Sequence, residues 1–219
     1  MIQHHKLTVH RTAQYSTIGN VGKNITRLVI ACHGQGQLAK HFIRRFDVLD
    51  DGKTLVLAPE ALSKFYLKNM SGDVGACWMT KEDRLDEIVD YANYLQQLYD
   101  FFVPQLAADV QIILFGFSQG CATIIRWAME KFPKVDAFVL FGGMLPEDID
   151  YTPHLDYFKS KKMIWMYGTN DPFLTPPRLE FIRTVIFKSQ ISFTEQTFEG
   201  EHKVPREVVK KLFETTFSR

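Results

Sequence analysis

The chain is short of cysteine, of charge imbalance and of long apolar runs, and each shortage removes a class of function. Its 219 residues include 3 cysteines, Cys32, Cys77 and Cys121. They are odd in number, far apart and in no Cys-x-x-Cys pair, so neither a disulfide framework nor a zinc site is indicated, and free thiols in packed surroundings are expected. Lys and Arg number 26 against 25 Asp and Glu, a formal net charge of +1. Nothing in that balance would hold a phosphate backbone, so no nucleic-acid partner is expected. No run is long enough to span a bilayer, and residues 1–10 hold no apolar stretch of signal-peptide length. A cytoplasmic chain without stable membrane insertion is therefore expected. Internal repeats and low-complexity tracts are missing as well.

What is present is apolar mass: 46% of residues are hydrophobic and 13% aromatic, enough for a large core. The length suits a single α/β domain over residues 1–219. Residues 5–10 and 13–18 alternate loosely through Leu7, Val9, Tyr15 and Ile18, which predicts an N-terminal antiparallel pair. Residues 25–31 form a β-branched run ending at Cys32-His33-Gly34-Gln35-Gly36, a strand feeding a glycine-rich loop. A helix over 38–46 and a buried strand over 53–58, ended by Pro59, follow. Residues 59–79 lack clear periodicity yet hold Phe65, Tyr66, Leu67, Met70, Trp78 and Met79. A loop so long and aromatic is expected to be functional. Thr80 then reads as an N-cap with Asp83 reaching back, opening an amphipathic helix through Leu85, Ile88, Ala92, Leu95 and Phe102 to about Pro104.

Farther on, the apolar run 111–115 meets Gly116-Phe117-Ser118-Gln119-Gly120 and passes straight into helical spacing over 121–128. Gly-x-Ser-x-Gly between a buried strand and a helix is a nucleophile elbow: glycines stand where side chains would strike backbone, and the serine is left strained at the tip. Strands over 136–141, 162–167 and 191–198, with helices over 175–187 and from Pro205, complete an alternation that argues a mostly parallel sheet covered on both faces. Trp127, Phe132 and Trp165 sit at core spacing.

Ligand sites in such sheets lie in loops leaving the carboxyl ends of strands. Four such ends hold chemistry: His33-Gly34-Gln35-Gly36, the elbow, Asn170-Asp171-Pro172 and Gly200-Glu201-His202. Their chain order is Ser, Asp, His, the order in which an elbow serine finds its partners. Ser118 reads as nucleophile, His202 as base and Asp171 as the carboxylate that orients the ring, with Pro172 holding Asp171 out of helical conformation. The backbone N–H groups of Gln35 and Gln119 are the expected oxyanion donors. His33 is a rival base, and Asp148, Asp150 and Asp156 are rivals for the acid. Glu201 reads as a solvated charge and Cys121 as packing. Phe65, Tyr66, Leu67, Trp78, Met79, Met144, Leu145 and Phe173 are candidates to line an apolar substrate pocket.

With these motifs the chain resembles, from about Thr26 onward, the carboxylesterase and lysophospholipase branch of the α/β-hydrolases, which includes acyl-protein thioesterases. The residues that carry the resemblance are His33-Gly34-Gln35-Gly36, Gly116-Phe117-Ser118-Gln119-Gly120, Gly168-Thr169-Asn170-Asp171-Pro172 and Gly200-Glu201-His202 with Pro205 behind. The resemblance implies an α/β-hydrolase without a large lid domain, a Ser118, Asp171 and His202 triad, and hydrolysis of esters or thioesters without cofactor or metal. The expected partner is a small-molecule ester, and the expected assembly a monomer or homodimer. Cys121 stands where many members have glycine, Gln37 where they have an acid, and the segment from Phe65 to Trp78 differs from the usual thioesterase loop. An amidase or peptidase with the same triad, and a non-catalytic binding homologue, remain the alternative readings.

Overall fold

The computed structural model describes residues 1–217. In chain order its regular elements are β1 (Tyr15–Ile18), β2 (Arg27–Cys32), α1 (Ala39–Phe42), β3 (Thr54–Pro59), β4 (Ser63–Tyr66), β5 (Val74–Cys77), α2 (Arg84–Phe102), β6 (Gln111–Phe117), α3 (Gln119–Lys131), β7 (Ala137–Phe141), α4 (Leu155–Lys159), β8 (Lys162–Gly168), α5 (Pro176–Ser189), β9 (Thr194–Phe198) and α6 (Arg206–Thr216). Short 3₁₀ turns join several of them.

Seven strands form one sheet in the order β1-β3-β2-β6-β7-β8-β9, parallel throughout except where β1 runs antiparallel to β3. The central strands are unbroken apolar runs because both faces are covered. Along β2 and β6, Leu28, Ile30, Ile112 and Leu114 pack toward Tyr91 and Leu95 of α2 and Ile124 and Trp127 of α3. Their alternates Val29, Ala31, Ile113 and Phe115 meet Phe42, Phe46, Val209 and Phe213 on the α1 and α6 side. The period of two decides which face each residue serves. A ring such as Phe115, with no exposed surface, contributes about 1.5–3 kcal/mol by burial alone.

The strand order reverses between β2 and β6. From β2 the chain steps outward to β3, and it later returns to lay β6 against the other edge of β2. The crevice beyond the carboxyl ends of these two strands is thus the topological switch point. Cys32 and Gly116 are paired in register there, so the glycine-rich loop and the elbow leave the sheet side by side.

Four local expectations are corrected. Residues 5–10 form no strand; the antiparallel partner of β1 is β3, in the register Tyr15 to Pro59. Residues 59–79, expected to be an irregular loop, contain an antiparallel hairpin, β4 with β5, paired from Ser63 with Cys77 to Tyr66 with Val74. Asp83, in a left-handed conformation with φ 46°, caps α2 by position and without a side-chain bond, while the Thr80 N–H is taken by Glu87 Oε2 at 2.6 Å. Phe132 is 41% exposed, because it stands in the left-handed turn that ends α3 and not on its core stripe. Among the described residues no helix is long and apolar enough to cross a membrane.

Candidate active site

The elbow forms because the backbone has no room for anything but glycine on either side of Ser118. A Cβ on Gly116 would stand 2.4 Å from the Gly120 carbonyl oxygen, and one on Gly120 would stand 2.1 Å from that of Cys32. Both are well inside contact distance. Ser118 turns the chain at φ 53° and ψ −116°, a conformation that costs a non-glycine residue about 1–3 kcal/mol. Its N–H donates to Phe141 O at 2.9 Å and its carbonyl accepts from Cys121 N–H at 3.0 Å, so the strained unit is tied at both ends.

Two further strand ends deliver the partners. The loop after β8 carries Asp171 and the loop after β9 carries His202, and the loops are joined to each other by Asn170 N–H on Gly200 O at 2.8 Å and Thr169 N–H on Phe198 O at 2.9 Å. Ser118 Oγ lies 3.0 Å from His202 Nε2, and His202 Nδ1 lies 2.6 Å from Asp171 Oδ2. The second carboxylate oxygen of Asp171 accepts the Phe173 N–H at 2.9 Å, which fixes the rotation of the acid. The Asp171 side chain is 1% exposed and that of His202 18%, so the anion is shielded while the ring edge stays open. Phe117 and Phe173 flank the imidazole with ring centres 4.9 and 4.8 Å away. Hydroxyl, imidazole and carboxylate therefore stand in one hydrogen-bonded line, an arrangement able to pass a proton from Oγ to Nε2.

The two expected oxyanion donors flank Ser118. Gln119 is the first residue of α3, where an N–H has no intrahelical acceptor. The Gln35 N–H has no acceptor among the described residues, whereas its neighbours are engaged: Gly34 N–H with Gln37 Oε1 at 2.9 Å and Gly36 N–H with Ala76 O at 2.8 Å. A Cβ on Gly34 would lie 3.3 Å from Ser118 Cβ, so the loop passes directly beside the serine.

The rivals have other occupations. His33 is fully buried, with Nδ1 at 2.7 Å from Gly34 O and Nε2 accepting the Ala61 N–H at 3.1 Å. Burial pushes its imidazole below the ordinary histidine value, so the ring is a neutral strut for the glycine-rich loop. Asp148 pairs with Arg84 and Arg126, Asp150 accepts from Thr152 N–H, and Asp156 faces solvent beside Lys159. Glu201 pairs with Lys203 at the surface. All three cysteines are buried free thiols, and burial drives the Cys32 and Cys121 thiols upward, away from thiolate. Among the described residues no group of three or more His, Cys, Asp and Glu side chains is arranged to hold a metal ion.

The pocket candidates divide. Phe65, Tyr66, Leu67 and Phe173 are exposed, and Met79 and Met144 half-buried. Trp78 and Leu145, expected on the rim, are core residues instead; the Trp78 indole N–H is spent on His33 O at 2.9 Å. Sequence reasoning missed Phe117 as a wall of the imidazole, although its place in the motif beside Ser118 was a usable signal. It also missed the Gln119 carboxamide, which bonds Trp78 and Met79, because no local pattern connects residues 40 and 41 apart.

Comparison with known proteins agrees with this architecture. The profile of the phospholipase/carboxylesterase family matches residues 13–216. No curated protein sequence matches. Among solved structures the chain is similar to acyl-protein thioesterase 2 of Zea mays, with 16% identity, a TM-score of 0.67 and coverage of 94% of this chain and 100% of that one. It is also similar to a phospholipase/carboxylesterase of Dyadobacter fermentans, with 18% identity, a TM-score of 0.66 and coverage of 96% and 99%. A Bacillus cereus carboxylesterase gives 13% identity, a TM-score of 0.63 and coverage of 93% and 92%. At such identities these likenesses speak for the fold alone, and the family follows from the profile. The chain belongs to the phospholipase/carboxylesterase family of α/β-hydrolases and is a carboxylic ester hydrolase.

Proposed function

We infer that the chain is a serine esterase that cleaves short to medium acyl esters through a Ser118 acyl-enzyme, with thioesters and lysophospholipids open to the same chemistry. The observation that supports this reading is the line from Ser118 Oγ through His202 to Asp171, with separations of 3.0 and 2.6 Å. A serine hydroxyl is a weak nucleophile at neutral pH, so neutral His202 Nε2 takes its proton as Oγ attacks the acyl carbon. Asp171 keeps the proton of the ring on Nδ1 and stabilises the imidazolium that forms. Charge gathering on the carbonyl oxygen is met by the N–H groups of Gln35 and Gln119. His202 then gives its proton to the departing alcohol, and a water deprotonated by the same ring attacks the acyl carbon, freeing the acid and restoring Ser118. Side chains, backbone and water handle every proton and electron pair in this cycle.

Exposed Phe65, Leu67 and Phe173 support an apolar acyl or alcohol site at the rim. A panel of p-nitrophenyl esters from acetate to dodecanoate, run beside a thioester and an anilide, tests the reading. The highest kcat/KM is expected on the short and medium esters, and the anilide is expected to be slowest. An anilide cleaved faster than every ester would make the protein an amidase.

A further inference from the structure

The two expected oxyanion donors sit on different parts of the chain, one after β2 and one after β6, and their separation has to be set by something that touches both. The loop and the elbow share one backbone segment, Ala76 to Met79, at the exit of the hairpin. On the loop side, Gly36 N–H donates to Ala76 O at 2.8 Å, Ala76 N–H donates to Gln37 O at 3.0 Å, and the Trp78 indole N–H donates to His33 O at 2.9 Å. On the elbow side, the Gln119 carboxamide closes around the same segment: Oε1 accepts Trp78 N–H at 3.0 Å and Nε2 donates to Met79 O at 2.8 Å. Cys77 Sγ lies 3.4 Å from the same Nε2. A Cβ on Gly75 would stand 2.4 Å from Gly36 O, so the segment lies flush on the loop.

We propose that the segment from Ala76 to Met79 is a gauge that sets the spacing of the Gln35 and Gln119 N–H groups, and that the Gln119 carboxamide is its clamp. Gln119 thereby has two duties, a backbone donor to the oxyanion and a side chain that holds that donor in register with its partner. A carboxamide suits the second because it offers one acceptor and one donor to two consecutive backbone groups, which neither a carboxylate nor an apolar side chain can do. Donors aimed at the oxyanion act in the transition state and contribute little to ground-state binding, so a loosened gauge lowers kcat and spares KM. Displacement by about 1 Å is enough to cost about 10²-fold in rate.

The inference rests on the Ser118 reading, and the test keeps the two apart. Gln119→Met keeps the backbone N–H and removes the clamp; Trp78→Phe keeps the clamp and removes one bond on the loop side. Each is measured on p-nitrophenyl butyrate, with inhibition by an alkyl trifluoromethyl ketone, whose adduct with serine presents an oxyanion, and with thermal unfolding. The expected result is a fall in kcat of about 10- to 100-fold for Gln119→Met and a smaller one for Trp78→Phe, with KM nearly constant. Ketone affinity is expected to fall in step with kcat/KM across the set. A folded Gln119→Met with wild-type kcat overturns the proposal. So does a rate loss that leaves ketone affinity unchanged, and if Gln119→Met fails to fold, the same two outcomes in Trp78→Phe decide. A wild type that neither turns over the ester nor binds the ketone sinks the Ser118 reading instead.

Discussion

The two halves of the proposed active site are built by different rules. On one side Ser118, His202 and Asp171 stand on the ends of β6, β9 and β8, held by backbone hydrogen bonds between loops, with Asp171 shielded from water. On the other side the hairpin exposes Phe65 and Tyr66 on β4, a strand whose residues are mostly exposed, and Leu67 just past its end. The first half leaves its groups almost no freedom, as proton transfer over hydrogen-bond distances demands. The second half is apolar and open, which fits the apolar acyl or alcohol site proposed there.

Substitutions on the rigid half sharpen that contrast most. Ser118→Ala and His202→Ala are expected to lower kcat/KM on p-nitrophenyl butyrate by about 10⁴-fold or more while the fold is kept. Asp171→Asn is expected to cost about 10⁴-fold, because an amide steers the ring toward the wrong tautomer. Loss of less than tenfold in Asp171→Asn would mean that another acid serves His202.

On the open half, Leu67→Ser is expected to raise KM for octanoate about tenfold and to leave acetate nearly unchanged. An equal effect on both esters would mean that the hairpin acts on the chemistry and not on the acyl chain. The elbow can be broken without touching a reacting group: Gly120→Ala forces a Cβ against Cys32 O and should destabilise the protein by about 1–3 kcal/mol in urea unfolding.

The smallest effect is electrostatic and lies away from the crevice. Burial opposes the charge on Asp148, but hydrogen bonds from Arg126 and Arg84 outweigh it and hold its carboxyl at about 2, below the ordinary 3.8. Because the folded value is the lower one, its ionisation stabilises the fold fully above the unfolded value and ceases to do so as pH falls toward 2. Asp148→Asn should therefore be less stable than wild type at neutral pH by a modest margin, since Asp148 is partly exposed, and the gap should close between about pH 4 and pH 2. A gap independent of pH would assign the loss to packing.

The rigid half was also the legible one. β6 reads as an uninterrupted apolar run because both its faces are buried, and Gly116 and Gly120 mark the elbow because no other residue fits there. His202 and Asp171 could be located because each lies just past a strand, in loops with Gly200 and Pro172 beside them. The hairpin was not legible: its strands are four residues long, their pairing is a contact between segments, and neither alternates, β4 being mostly exposed and β5 mostly buried. Residues 5–10 mislead for the converse reason, since alternation alone does not make a strand when β3 already offers its free edge to β1. Trp78 and Leu145 looked like rim residues because sequence places them in rim loops, while the chain folds those side chains inward.

The central claim is that Ser118 forms the covalent intermediate. Incubation with a fluorophosphonate, followed by intact-mass measurement and peptide mapping, tests it most directly. One adduct per chain on Ser118 is expected in the wild type, none in Ser118→Ala, and slowed labelling in His202→Ala. A wild type that stays unlabelled, or an adduct that persists in Ser118→Ala, would contradict it.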